Sequence, residues 1–491
     1  MNKKIKLESE NGITLIALII TIVILIIISA IALISIDNGI IEKIKSEIRN
    51  AEIAEVVEEF KLWQNSNILD GNNKSSIEIL KEKYGDELEF CYNGNEECVK
   101  INGNLIPISE FGLNATPENG EWSYVQKICT PKLSEGMKAV YWDEDEIVQG
   151  DENFKIENWY NYKENIDNAN DSKWANAVIT DSNGNKSYFV WIPRYEYKIN
   201  SDETIDINFI SKETTTPTEG YKIHPAFQNG TENNFTNGEW DKELEGIWVA
   251  KYEMSRTDAT ISGVGSSTTF KCVSNVQSAR SISIGNIYTY SQNFDKEIGN
   301  ENLDSHLMKN SEWGAVAYLA HSKYGRNGVE IAVNASGSYI TGSGTNLAST
   351  TGNITGIFDL SGGATEYLAL YVSNGNSVLS NGSSFVKSEA DEDGYLTLST
   401  KYVTVYPYDE SLYKALSDNN SSINNKKYGY GDAICETKGW NGDQAAFVSG
   451  GTPFLGRGGY FKSGSLAGIF SYANSRGNNN NLAGFRVVLA F

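Results

Sequence analysis

The stretch GIFDLSGGATEY, residues 356–367, carries the strongest local constraints in this sequence. Its two consecutive glycines, Gly362 and Gly363, stand where the chain turns, because glycine adopts a positive φ or permits close backbone approach at little steric cost. Asp359 and Glu366 flank this turn in a segment that is otherwise apolar or small. Since buried carboxylates need ion pairs or hydrogen bonds, we expect both to form buried polar contacts that fix the loops.

Three other segments carry the same combination of small, aromatic and charged residues: SEWGAVA (311–317), RGGY (457–460) and GFR (484–486). The first predicts a helix, and the glycine pair of the second predicts another turn with positive φ. Arg486 of the third, like Asp359 and Glu366, is expected to form a buried polar contact or ion pair that fixes loops. The apolar face of the helix is predicted to consist of Trp313, Val316, Ala317 and Ala320.

In order and spacing, these four motifs resemble those of the sulfatase-modifying-factor family, which has a C-type-lectin-like fold. The family pattern GLYDMxGNVWEW corresponds to residues 356–367, its RGGS(W/Y) strand to 457–460, and its closing GFR to 484–486. Gly363 replaces the family's Asn, so no clear carboxylate cluster for calcium is expected. The resemblance implies a C-type-lectin-like domain of short strands and long loops over residues 131–491.

Catalytic members of that family need residues that this chain lacks. Formylglycine-generating enzymes hold copper(I) on cysteines after the RGGS strand, whereas residues 460–472 contain no Cys. Related sulfoxide-forming enzymes bind iron through His residues, one of which is followed two positions later by Glu (HxE). None of the three His residues of this chain, His224, His306 and His321, is followed by Glu at that spacing. No CxxC pair or nucleophile elbow is evident. We therefore expect no catalytic residue, no metal and no cofactor, with an unrecognised site of the formylglycine-generating type as an alternative.

The last segment of the chain instead resembles the lectin-like variable proteins of diversity-generating retroelements, whose ligand-facing residues lie at this position and arise by mutation of Asn codons. Tyr and Arg anchor interfaces, while Asn and Ser provide adaptable hydrogen bonds. The alternative is that the Asn-rich loop is only a solvated surface turn. The ligand-binding residues implied by the resemblance are Tyr460, Lys462, Ser463, Ser465, Leu466, Ser471, Tyr472, Ala473, Ser475, Arg476, Asn478 and Asn480.

The charge of the protein limits the class of partner. The 41 Lys and Arg residues and 63 Asp and Glu residues give a net charge of −22. Nucleic-acid binding requires a basic face, so nucleic acid is excluded as a partner. The expected ligand is an extracellular protein or glycan.

The N-terminal segment predicts a membrane anchor. Residues 13–36 are an uncharged apolar run long enough to span a bilayer, and the basic leader, residues 1–12, places the rest of the chain outside. The arrangement resembles a type IV prepilin, which implies cleavage between Gly12 and Ile13 by a prepilin peptidase. Ala17 stands where that family has Glu, which counts against a main filament subunit. A plain signal anchor is the alternative.

Between the anchor and the large domain, apolar residues at spacings of three and four predict an amphipathic helix over residues 37–63. Residues 64–130 predict a small α+β head or spacer. Cys91 and Cys98 flank a polar hairpin tip and are the predicted disulfide pair, although five cysteines leave at least one thiol unpaired within the chain.

Together these features predict an α+β protein with a transmembrane pilin-like helix, a small α+β head and a C-type-lectin-like domain. We expect a ligand-binding, adhesin- or receptor-like protein that is displayed on the extracellular side of a bacterial membrane or on a pilus. A minor or tip pilin or pseudopilin, assembled by pilus machinery, is the alternative.

Overall fold

The chain divides into two compact units, Met1–Trp122 and Ser123–Phe491, so the second unit begins slightly before the predicted domain boundary. The structure is a computed structural model. It describes residues 48, 50–63, 76–84, 89–93, 96–101, 104–111, 129–143, 146–150, 154, 158–165, 171–230, 240–335, 339–374, 376–386, 401–407, 430–448 and 451–491.

The predicted leader (1–12), the predicted membrane span (13–36) and the Gly12–Ile13 processing site lie outside the described residues. Among the helices that the structure does describe, none is both long and apolar enough to cross a membrane.

The first unit packs two helices and a three-stranded sheet around one apolar core. Residues 50–63 form α1, in which Val57 and Phe60 are buried and Ile53 is partly buried, as the amphipathic pattern predicted. The other core residues are Val56, Ile79, Leu80, Val99, Ile101, Ile106 and Ile108. The remaining elements are α2 (Ser76–Tyr84), β1 (Glu89–Asn93), β2 (Glu96–Ile101), β3 (Asn104–Pro107) and a 3-10 turn (Ile108–Phe111).

The predicted disulfide pair lies on two adjacent strands of this sheet. Cys91 of β1 and Cys98 of β2 are direct partners in the antiparallel register. Directly opposed residues in such a ladder have Cα atoms about 4.5–5.5 Å apart, within the range that a disulfide spans. Cys98 is buried, whereas the side chain of Cys91 is outside the described part, so the disulfide stays a prediction.

The second unit is built mainly from strands. Its strands through residue 271 are β4 (Met137–Asp143), β5 (Glu146–Gln149), β6 (Asn176–Thr180), β7 (Lys186–Pro193), β8 (Tyr195–Ile199), β9 (Ile205–Phe209), β10 (Lys222–Ile223), β11 (Gly246–Ala250), β12 (Ser255–Arg256) and β13 (Phe270–Lys271). The elements that follow are α3 (Ile284–Gln292), α4 (Phe294–Glu297), β14 (Asp304–Leu307), α5 (Asn310–His321), β15 (Thr365–Tyr367), β16 (Leu370–Ser373), β17 (Thr404–Pro407), β18 (Ala445–Ala446), β19 (Phe454–Gly458), β20 (Gly468–Ser475), β21 (Ala483–Phe485) and β22 (Val487–Ala490).

A seven-stranded antiparallel sheet of order β14-β22-β11-β7-β6-β4-β5 forms one side of this core. Aromatic and β-branched residues dominate its central strands and suit a pleated, buried surface. Trp191 of β7 and Trp248 of β11 are cross-strand partners with ring centroids 5.2 Å apart. The C-terminal strand β22 lies between β14 and β11, so the chain end is part of the sheet interior.

The four sequence motifs meet around a second sheet, of order β18-β20-β19-β15-β21. Glu366 of β15 pairs with Arg457 on one side and with Gly484 on the other. The Trp313 ring of α5 lies 5.2 Å from the Arg457 guanidinium. Positive φ angles at the four motif glycines confirm the predicted turns, at Gly362, Gly363, Gly458 and Gly459.

The predicted α+β class is wrong for this fold, because strand exceeds helix among the described residues, at 31% against 20%. Loops rich in Asn, Ser, Thr and Gly separate the strands, and these residues compete with helix formation through local hydrogen bonds or backbone freedom. The helix α5 is fully buried, so its predicted apolar face is confirmed but its remaining positions are buried as well.

Two carboxylates enclose His306 at the start of α5. Its Nδ1 lies 3.2 Å from Asp304 Oδ1 and its Nε2 lies 2.9 Å from Glu312 Oε1. Burial alone lowers the pKa of His306, but the charge of Glu312 and the hydrogen bonds to both carboxylates outweigh it and raise the pKa to about 9. Glu312 also accepts the Lys309 backbone N–H at 2.8 Å, so the network fixes the helix N-terminus.

The wild-type protein is expected to lose stability at alkaline pH, and the substitution His306→Gln is expected to abolish that loss. Protonated His306 contributes fully below its ordinary pKa of 6.5, and its contribution is lost as the pH rises through about 9. The shift corresponds to roughly 3 kcal/mol. Urea unfolding of both proteins should show a decline in the wild-type free energy of unfolding over that interval and a flatter profile for the variant. Equal slopes would contradict this assignment.

Candidate ligand-binding surface

Two loops at the C-terminal end of the chain contain most of the predicted ligand-binding residues. The β19–β20 loop is residues 459–467, and the β20–β21 loop is residues 476–482. Phe454 pairs with Ser475 at one end of β19, and Gly458 pairs with Gly468 at the other. The loops therefore leave opposite ends of β19, which is about 13 Å long at the usual rise per residue.

The β19–β20 loop is held by short local contacts. Gly459 has a φ of 70°, and the Tyr460 N–H donates to Ser463 Oγ at 3.0 Å. Asp443 Oδ2 accepts the Phe470 N–H at 2.9 Å where β20 begins. Burial raises the pKa of Asp443 to about 7, although hydrogen bonds from the backbone oppose that effect. The loop thus has a defined path from Gly459 to the start of β20.

The β20–β21 loop is fixed to residues that precede it by two hundred positions or lie on β15. Asn480 O accepts the Ser281 N–H at 2.9 Å, and Asn480 Oδ1 accepts the Leu482 N–H at 2.9 Å. The Tyr367 hydroxyl donates to Asn478 O at 3.2 Å. These contacts fix the loop backbone while the side chain of Asn478 stays exposed.

A row of side chains connects the two loops across the surface. The Arg280 guanidinium donates to Asn481 O at 2.7 Å and lies 3.9 Å from the centroid of the Tyr339 ring. The Tyr339 ring contacts Phe461 edge-on, with centroids 4.6 Å apart, and Phe461 contacts Tyr460 at 5.8 Å. We call Arg280, Tyr339, Tyr460 and Phe461 the aromatic platform. All four are partly exposed.

Most of the predicted ligand-binding residues reach the surface. The exposed ones are Lys462, Ser465, Leu466, Arg476 and Asn478, and the partly exposed ones are Tyr460, Ser463, Ala473, Ser475 and Asn480.

Two predicted contacts, Ser471 and Tyr472, are corrected by the structure. Both are buried on β20, which pairs with β19 on one side and with β18 on the other. The Tyr472 ring packs 6.3 Å from Phe447 and lies 5.9 Å from the Arg457 guanidinium. In this conformation neither residue can contact a ligand, so Tyr472 belongs to the core.

The sequence prediction missed Arg280, Tyr339 and Phe461. The only local signal for Tyr339 was an aromatic residue in a loop of Gly, Ser, Asn and Thr, a composition that suits recognition. Phe461 lies beside the predicted residue Tyr460, but an apolar side chain is by itself no sign of a surface site. Arg280 had no signal, because its role depends on contacts with residues far away in the sequence.

A buried charge cluster lies behind the platform. Arg486 donates from Nη2 to Glu366 Oε1 at 2.6 Å and from Nε to Glu366 Oε2 at 3.0 Å, so both residues form the kind of buried contact expected of them. Burial raises the pKa values of Glu253, Asp359 and Glu366, while the charge of Arg486 opposes that shift for Asp359 and Glu366. Asp359 accepts the Gly342 N–H at 2.8 Å.

This cluster supports the platform through the backbone. Gly363 O accepts the Phe461 N–H at 3.0 Å, and a Cβ at Gly363 would lie 2.5 Å from Glu253 Oε1. Within the part of the chain that the structure describes, no group of three His, Cys, Asp or Glu residues is placed to hold a metal ion. The cluster therefore positions the loop backbone.

No family model matches this chain, and no match was found among curated proteins.

Proposed function

We propose that the second unit is a ligand-binding domain of an adhesin- or receptor-like protein. Its binding surface consists of the aromatic platform and the exposed parts of the β19–β20 and β20–β21 loops. The observation that carries this proposal is the contact row from Asn481 through Arg280 and Tyr339 to Phe461, which joins two loops from opposite ends of β19.

The chemistry of the surface supports binding. Tyr and Phe provide large contact areas with few rotatable bonds, and Asn and Ser provide adaptable hydrogen bonds. The loops are held by backbone hydrogen bonds to buried elements, so exposed side chains can change without disturbing the core. Fixed backbone and partly exposed aromatic side chains lower the conformational cost of binding.

Single substitutions in the platform should test this function. We expect Tyr339→Ala, Tyr460→Ala and Phe461→Ala in the full-length protein each to weaken binding by about tenfold or more, as truncation of an interface anchor does. Binding is measured on protein and glycan arrays and then as a Kd for each ligand found with the wild type. Thermal unfolding of each variant checks that the fold is retained.

Tyr221→Ala is the matched control, because Tyr221 is also partly exposed but precedes β10 in a separate three-stranded sheet. It should leave every Kd unchanged. Equal binding by the wild type and all three platform variants would contradict the proposed function.

A further inference from the structure

The C-terminal segment has the opposite charge to the rest of the protein. Residues 451–491 contain Arg457, Lys462, Arg476 and Arg486 but no Asp or Glu, although the chain carries a net charge of −22. Arg457 and Arg486 are buried. Lys462 and Arg476 are exposed, so both cations face solvent within the two binding loops.

Two neighbouring segments of the sequence also lack Asp and Glu. Residues 272–290 carry Arg280 as their one charged residue, and residues 331–358 carry none. The Ser278 N–H donates to Tyr339 O at 2.9 Å, and the Ser281 N–H donates to Asn480 O at 2.9 Å. The three segments therefore form one continuous surface with three cations. We call it the cationic face.

No ion pair involving Arg280, Lys462 or Arg476 occurs among the described residues, whereas Lys212 and Lys323 elsewhere pair with carboxylates. The hydrogen-bond acceptors of Arg280 in the structure are neutral: Asn481 O and Gln277 Oε1.

A buried carboxyl group, that of Glu253, acts electrostatically on Arg280. Burial raises the pKa of Glu253 well above its ordinary value and so favours its uncharged form, and no ion pair joins Glu253 to Arg280 among the described residues. Stacking on Tyr339 holds the guanidinium in place, and a guanidinium binds a carboxylate in a well-defined fork geometry.

Exposed apolar side chains adjoin these cations. Leu466 in the β19–β20 loop is 50% exposed and Ile261 is 58% exposed. Ile261 O accepts the Gln277 amide at 3.0 Å, and Gln277 in turn accepts from Arg280. Aliphatic side chains beside Tyr and Arg are the composition of a protein-binding surface.

We propose that the cationic face docks an acidic segment of a partner protein. The inference rests on the proposed function and adds the chemical class of its ligand. A long polyanion such as nucleic acid or a sulfated glycan fits less well, because it requires an extended basic stripe and would be repelled by the acidic remainder of the chain. A short acidic segment needs only the three cations and the neighbouring aliphatic side chains.

The test is a selection of a displayed random-peptide library on the full-length protein. Peptides that bind the wild type should be enriched in Asp and Glu, and their affinity should fall by about tenfold as added salt screens the charges. Peptides selected on the Lys462→Glu and Arg280→Gln variants should no longer be enriched in Asp and Glu. Lys462→Glu keeps the test valid if Arg280→Gln unfolds, because Lys462 is exposed.

Lys198→Glu is the matched control, since Lys198 is exposed on β8 and the substitution changes net charge by the same amount as Lys462→Glu. It should retain the acidic enrichment. Selection of neutral or basic peptides, or no selected peptide, would contradict the inference. A different outcome would be that the wild type binds a heparin fragment or oligothymidylate and that this binding is lost in Lys462→Glu. This result would identify the cationic face as a site for a polyanion and would overturn the inference of an acidic protein segment. If neutral peptides bind and Tyr460→Ala abolishes that binding, the proposed function stands and only the acidic class is wrong.

Discussion

Replacing Arg486 with methionine is expected to lower the free energy of unfolding by about 3–5 kcal/mol, because it leaves a buried charge without its partner. Arg486 donates two hydrogen bonds to the carboxylate of Glu366, and both side chains are fully buried. It also donates to Phe358 O at 2.9 Å and to Ala250 O at 2.6 Å. Methionine has similar length but makes none of these bonds.

Removing both charges together should cost less than removing the arginine alone. In Arg486→Met/Glu366→Gln the uncompensated carboxylate is absent, so we expect a large part of the lost stability to return. The three proteins and the wild type form a double-mutant cycle, measured by urea denaturation with tryptophan fluorescence.

The deficit of Arg486→Met should also shrink at acidic pH. Burial raises the pKa of Glu366 in the folded protein, and the charge of Arg486 opposes that increase. Without Arg486 the pKa of Glu366 in the folded protein rises further. The loss of stability therefore grows as the pH rises through that pKa. Below the ordinary pKa of 4.5 the loss is relieved. Arg476→Met is the control for loss of an exposed arginine and should change stability by less than about 0.5 kcal/mol. A similar cost for both substitutions would refute the proposed role of Arg486.

The sequence predicted the features whose physical cause is local. Paired glycines predict turns with positive φ, as at Gly362 and Gly363. Three charged residues in apolar motifs predicted a buried ion-pair cluster, and the pair of Arg486 and Glu366 lies within it. The apolar spacing in α5 predicted its buried face.

The candidate surface was less accessible because its geometry is not local. Tyr472 has the residue type of an interface anchor, but only the folded structure shows that its side chain is buried against Phe447 and Arg457. Arg280, Tyr339 and Phe461 come from three distant segments, so the fold alone brings them into contact. Residue type predicts which side chains can bind, whereas topology decides which of them reach the surface.

Gly314→Ala is expected to destabilise the protein by about 3 kcal/mol, which is the cost typical of overpacking a core. In an exposed helix the same substitution would stabilise by about 1 kcal/mol, because alanine is the better helix former. Here Gly314 lies in the buried helix α5 against another part of the backbone, and a Cβ would come within 2.8 Å of the carbonyl carbon of Gly431. Neither backbone segment can move as easily as a side chain.

The displaced segment also holds an arginine of the second sheet. Arg457 donates to Asp432 O at 3.2 Å and to Ala433 O at 3.0 Å, so a shift at Gly431 weakens contacts that fix β19 below the binding loops. Gly451→Ala is the matched control, because its φ is ordinary and a Cβ there meets no atom within 4 Å. Urea denaturation of both variants should show a clear loss for Gly314→Ala and almost none for Gly451→Ala. The gain in helix propensity could exceed the cost of overpacking, and Gly314→Ala would then be at least as stable as the wild type. That result would show that the close packing of α5 on residues 431–433 is wrong.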